Sequence, residues 1–74
     1  MTEYRVYHFT IVEDPDYEVV THYVEAFRKD ADVLRFIKEN KAEAHWVKPW
    51  FLGLVEAEDN DEGWADARHA FDAH

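Results

Sequence analysis

The chain has 74 residues and a mass of 8.8 kDa, enough for one small core and no second domain, and its 47% hydrophobic content excludes a disordered acidic tail. Cys, Ser and Gln are absent and the only glycines are Gly53 and Gly63, which removes disulfides, thiolate and serine nucleophiles, Cys-based metal sites and Gly-rich phosphate loops. Seventeen acids against eight bases give a net charge of −9, a field that repels nucleic-acid phosphates and anionic lipid heads.

The first element is a strand from Glu3 to Val12, rich in Val, Ile, Tyr, Phe and Thr. Asp14-Pro15-Asp16 supplies turn chemistry, and a second β-rich run from Tyr17 to Phe27 completes a predicted hairpin. Asp30 is placed to cap a helix over 31–43, with Val33, Leu34, Ile37, the Lys41 stem and Ala44 as its apolar positions and Lys38 and Lys41 suiting the dipole at its end. His45-Trp46-Val47-Lys48-Pro49 reads as a connection. Trp50 to Ala57 reads as a third strand, with Gly53 at a kink or bulge. Asp59 to Gly63 is an acidic loop, and Trp64 to Phe71 is a short helix with Trp64, Ala67, Arg68 and Phe71 along one side. So short a helix holds only if it docks; otherwise the 59–74 segment frays.

A right-handed crossover sets the third strand parallel to the second; if it lies beyond the first strand all neighbours are antiparallel, the preferred arrangement, and the alternative is pairing directly beside the second strand. The expected fold is therefore α+β: one domain, 1–74, with a three-stranded antiparallel sheet (ββαβ, order 2-1-3), one long helix and a short C-terminal helix.

Alternation puts Tyr7, Phe9 and Ile11 on one face of the first strand and Tyr4, Val6, His8, Thr10 and Val12 on the other, and neither set is polar. The third strand repeats this, with Phe51, Val55 and Ala57 opposing Trp50, Leu52 and Leu54. One long helix covers one face. The second needs the C-terminal helix, another copy of the chain, a partner, or else remains an exposed patch. Phe51 is expected in the core, while Trp46 and Trp50, straddling Lys48-Pro49, are candidate interface anchors.

Five histidines, His8, His22, His45, His69 and His74, raise a metal-binding alternative. His8 and His22 share a face if paired hairpin residues sum to thirty and lie on opposite faces if they sum to thirty-one, which an even-numbered loop 14–17 favours. No HExxH or CxxC spacing is present, so no cofactor or metal is assigned. Catalysis is not expected either, because the carboxylates of Glu56, Glu58, Asp59, Asp61 and Glu62 are expected to be solvated and Thr is the only hydroxyl nucleophile besides Tyr.

Charge is polarised: residues 1–25 carry −5, 26–53 carry +2 and 54–74 carry −6. The expected function is a non-catalytic protein-binding module or inhibitor whose acidic surface, Glu56, Glu58, Asp59, Asp61 and Glu62, engages the basic groove of a larger partner with Trp46 and Trp50 as anchors. In composition alone it resembles the acidic inhibitors that phages direct against nucleases, CRISPR complexes or polymerases, which imitate nucleic acid. A homodimeric structural domain is the main alternative. No apolar run approaches the ~20 residues of a membrane span, and Glu3 stands where a signal peptide has bases. A cytoplasmic location is expected, in the host cytoplasm if a phage encodes the chain.

Overall fold

The computed structural model describes residues 1–16 and 18–72. Tyr17, the expected start of the second strand, and His74, one of the five histidines, lie outside the described residues. Five elements follow in chain order: β1 (Thr2–Val12), β2 (Val20–Phe27), α1 (Asp30–Lys41), β3 (Trp46–Ala57) and α2 (Asp61–Arg68). The strands form one antiparallel sheet in the order β2-β1-β3, the preferred of the two arrangements compatible with a right-handed crossover through α1.

The hairpin register differs from expectation. His8 faces Val24 and Thr10 faces His22, so paired residues sum to 32, as 8 and 24 do. The reason is loop length: Glu13 N–H donates to Val19 O at 3.0 Å, which leaves residues 14–18 as an odd-numbered connection. Within it the Asp16 N–H donates to the Asp14 carboxylate at 2.8 Å, an Asx turn of the kind Asp-Pro sequences favour.

β3 begins four residues earlier than expected, at Trp46, because β1 runs to Val12 and offers pairing partners for the whole Trp46–Pro49 segment. Pro49 is accommodated there because β3 is an edge strand, where a missing ladder donor costs least. The expected irregularity at Gly53 is a bulge: Val6 faces Gly53 while Tyr7 faces Phe51, leaving Leu52 as an additional residue. That extra residue inverts the alternation. Trp50, opposite His8, lies on the same face as Val55 and Ala57, opposite Tyr4 and Thr2, whereas Phe51 and Leu54 share the other face. The uninterrupted alternation expected for β3 is thus corrected by one residue.

α1 packs on the face of Tyr7, Phe9 and Ile11. Its buried stripe is Val33, Phe36 and Ile37, with the Phe36 ring 4.7 Å from that of Phe9, while Leu34, expected inside, is 69% exposed. Asp30 is not the cap. Lys29 occupies that position without a side-chain bond, and Asp30 opens the helix and accepts from Arg5 Nε at 2.9 Å. Complete burial of Phe9 contributes about 1.5–3 kcal/mol.

α2 packs on the opposite face, over Tyr4, Val6, Ala26 and Ala57, through Trp64, Ala67 and the following Phe71. The Asn60 side chain accepts the Gly63 N–H at 2.8 Å, so Asp61 and Glu62, expected in a loop, form the first turn of this helix. Long-range hydrogen bonds hold it: Trp64 Nε1–H donates to Ala26 O at 3.0 Å, Arg68 Nε–H donates to Val24 O at 3.4 Å and, just ahead of the helix, Tyr4 O–H donates to Glu58 O at 2.7 Å. The approach is so close that a Cβ at Gly63 would stand 1.9 Å from Glu58 O. Gly is therefore obligatory for this docking.

Candidate functional site

The sheet is longer than the helix that roofs its second face. α2 covers the half around Tyr4 and Val6. Three further cross-strand rows follow on the same face: Val24, His8 and Trp50, of which Val24 still packs against the α2 cluster; then His22, Thr10 and Lys48; then Val20, Val12 and Trp46. Trp50 is 61% exposed and Trp46 42%. The two indoles named as anchors from the sequence thus reach solvent, on one face and four residues apart.

They differ in what lies beneath them. Val12 is 1% exposed between its pairing partners Trp46 and Val20, so Trp46 serves the fold as well as the surface. Trp50 stands beside His8, with Lys48 Nζ 5.9 Å from its ring centroid, at the limit of cation–π attraction. Across the patch the rings of His8 and His22 lie 5.4 Å apart and within 20° of parallel, and Thr10 Oγ1 is 3.2 Å from His22 Nδ1. The even sum of paired residues brings both imidazoles to one face, against the odd sum expected.

The acidic residues do not gather around these anchors. Glu56 lies opposite Glu3 at the far end of β3, a like-charge pair beside which the Arg5 guanidinium stands 3.9 Å from the Glu3 carboxylate. Glu58 is exposed, while Asp59 Oδ1 accepts from Arg28 Nε at 2.6 Å. This hydrogen bond holds the Arg28 guanidinium above its ordinary range, with burial acting the other way. Asp61 and Glu62 sit in the first turn of α2, where negative charge suits the helix dipole. From Trp46 to Ala57 the strand runs about 35 Å at the usual rise per residue. The acids of the hairpin connection, Glu13, Asp14, Asp16 and Glu18, lie at the same end of the sheet as Trp46, because Val12 pairs with both Val20 and Trp46. Order 2-1-3 alone carries that signal: it sets the start of the third strand beside the loop joining the first two.

Phe51 corrects another expectation. It is 50% exposed on the α1 face, its ring 5.3 Å from Tyr7, and Leu54 on the same face is 54% exposed. A groove of about 270 Å³ between β2 and α1 is lined by Ala26, Phe27, Arg28, Asp32, Arg35, Phe36 and Glu39, with Arg35 Nη2 donating to Asp32 at 2.7 Å inside it and Arg28 Nε donating to Asp59 outside it. Among the described residues, no three His, Cys, Asp or Glu side chains gather to hold a metal ion, and no helix is long and apolar enough to cross a membrane.

Compared with family models, with curated proteins and with solved structures, the chain returns no significant match. Its own geometry carries the functional reading.

Proposed function

We propose that the protein is a non-catalytic protein-binding module that lays its uncovered sheet face against a basic surface of a larger protein. The observation that supports this most directly is Trp50, 61% exposed on a face that α2 roofs only in part. Indoles in such a position bury large apolar area at little cost in side-chain freedom, and arginine stacks readily on them. Charge selects the partner. Two copies at −9 repel one another, which disfavours a symmetric dimer through this face, whereas a surface rich in Arg and Lys is attracted.

The hairpin acids Glu13, Asp14, Asp16 and Glu18 stand at the Trp46 end of the sheet, and Glu56, Glu58, Asp61 and Glu62 form a second acidic end on a molecule 42 Å long. That length matches about twelve nucleotide steps at 3.4 Å per step. Negative ends so spaced suit a groove that otherwise tracks a phosphate backbone, so occupying it excludes nucleic acid. The proposed consequence is inhibition by mimicry of a nucleic-acid-binding partner, CRISPR-type complexes and polymerases included.

The test is retention of proteins from a lysate by the immobilised chain, compared with Trp50→Ala, Glu13→Lys/Glu18→Lys and Glu58→Lys/Glu62→Lys variants of unchanged melting temperature. A retained basic protein, released by salt and lost with Trp50→Ala, is the expected result. Equal retention by the wild type and Trp50→Ala, or binding indifferent to salt, would overturn the proposal.

A further inference from the structure

Imidazole is the commonest protein ligand for late first-row divalent metals, and the exposed half-face holds two imidazoles on a rigid scaffold. His8 and His22 project from neighbouring strands as a diagonal pair, since His8 faces Val24 and His22 faces Thr10. We infer that these two side chains form a bidentate site for a divalent cation of the zinc, nickel or copper type, with Thr10 orienting His22.

Ring spacing supports the chelate. A metal–nitrogen bond of about 2.0–2.1 Å puts a ring centre roughly 3.2 Å from the ion, so two imidazoles on a tetrahedral ion have centres about 5.2 Å apart. His8 and His22 stand at 5.4 Å. Their interplanar angle of 20° asks for rotation about the last side-chain torsion, which has broad wells, and for no displacement of either strand.

The third residue supplies the orientation that metal-binding histidines commonly take from a neighbour. Thr10 Oγ1, 3.2 Å from His22 Nδ1, engages one ring nitrogen and leaves Nε2 as the ligating atom. His22 is exposed and His8 half-buried, so the ion reaches the pair from solvent, and water fills the remaining coordination positions. Lys48, opposite Thr10 on the other flank, is the cation of this patch, and its Nζ leans over Trp50.

One loop residue decides the pairing: thirteen residues lie between His8 and His22, and the odd-length connection brings both to one face.

The experiment is calorimetric titration of the whole chain with zinc and with nickel, paired with NMR of the histidine side chains. One ion per chain is expected, with the ring resonances of His8 and His22 perturbed together. His8→Ala and His22→Ala should each weaken binding at least tenfold, and Thr10→Val should weaken it several-fold while preserving stoichiometry. His45→Ala and His69→Ala should leave it unchanged. If a variant fails to fold, the resonances of the wild type decide. Perturbation confined to His45, His69 or His74, or undiminished affinity in folded His22→Ala, would overturn the site.

Discussion

Phe71 and Gly53 meet ring against backbone: a Cβ added at Gly53 would stand 2.8 Å from Phe71 Cζ, and the Gly53 φ of 156° is one that other residues rarely adopt. The β3 bulge and the C-terminal segment are thus fitted to one another. Gly53→Ala should destabilise the protein by about 1–3 kcal/mol through overpacking and backbone strain. In a double-mutant cycle with Phe71→Leu the two losses should fall short of additivity, because the smaller side chain relieves the clash. Full additivity in chemical denaturation would show that the two residues do not act as a unit.

Gly63 makes the tighter contact, with Glu58 O in the way of any side chain. Backbone cannot yield as a flexible side chain can. Gly63→Ala should therefore displace α2 from the sheet, expose Trp64 and lower the melting temperature more than Gly53→Ala does. Trp64 fluorescence, read in a background lacking Trp46 and Trp50, checks this by a shift to longer wavelength.

Tyr4 is fully buried, and its hydroxyl donates to Glu58 O. Tyr4→Phe keeps the ring and removes one hydrogen bond, leaving a part-buried carbonyl unpaired. A loss of about 1 kcal/mol is expected. For a domain of this size that corresponds to a fall of about 4–8 °C in melting temperature. An unchanged melt would mean that water replaces the hydroxyl at no cost.

The two exposed indoles should separate in stability measurements. Trp46 flanks the sealed Val12, so Trp46→Ala should cost about 1 kcal/mol or more as that side chain is uncovered. Trp50→Ala should stay within about 0.5 kcal/mol of the wild type. Equal losses would place both indoles in the same structural role.

Burial beside Phe9 and Phe36 raises the Tyr23 phenol above its usual value of 10.0, with the Glu25 carboxylate acting in the same direction and Arg68 against it. The folded state thus holds this proton more tightly than the unfolded chain. The associated stability is fully present below about pH 10 and is lost as pH rises through the higher folded value. Urea melts across that range should show a steeper decline for the wild type than for Tyr23→Phe, and parallel curves would remove Tyr23 as the cause.

Chain handedness made the direction of the third strand legible and left its place beside the first or the second strand to preference, while the docking side of α2 was legible in the spacing of Trp64, Ala67 and Phe71. What escaped depended on single residues. One more residue in the hairpin loop changed which face His22 occupies relative to His8. Pro49 disguised the first half of β3, although an edge strand tolerates it. Leu34 and Phe36 are both apolar, and only the crowding of Phe9, Phe27 and Tyr23 beneath α1 decides that the ring goes inward. For the candidate site, the exposure of Trp46 and Trp50 was legible, whereas the acids of 56–62 lie toward the other end of β3 and it is the hairpin connection that shares an end of the sheet with Trp46.

The supernumerary Leu52 sets what this molecule shows to the outside. Five positions separate Trp50 from Val55, so an unbroken ribbon would send them to opposite sides. Because one extra residue intervenes, the strand seats Val55 under the C-terminal helix and, from the same side, holds an indole out to the surroundings. Excising that leucine would turn the first half of the strand over, sending Trp50 to the side of the long helix and Phe51 to the half-roofed side. A single codon therefore decides which of two exposed aromatic rings stands on the half-roofed side.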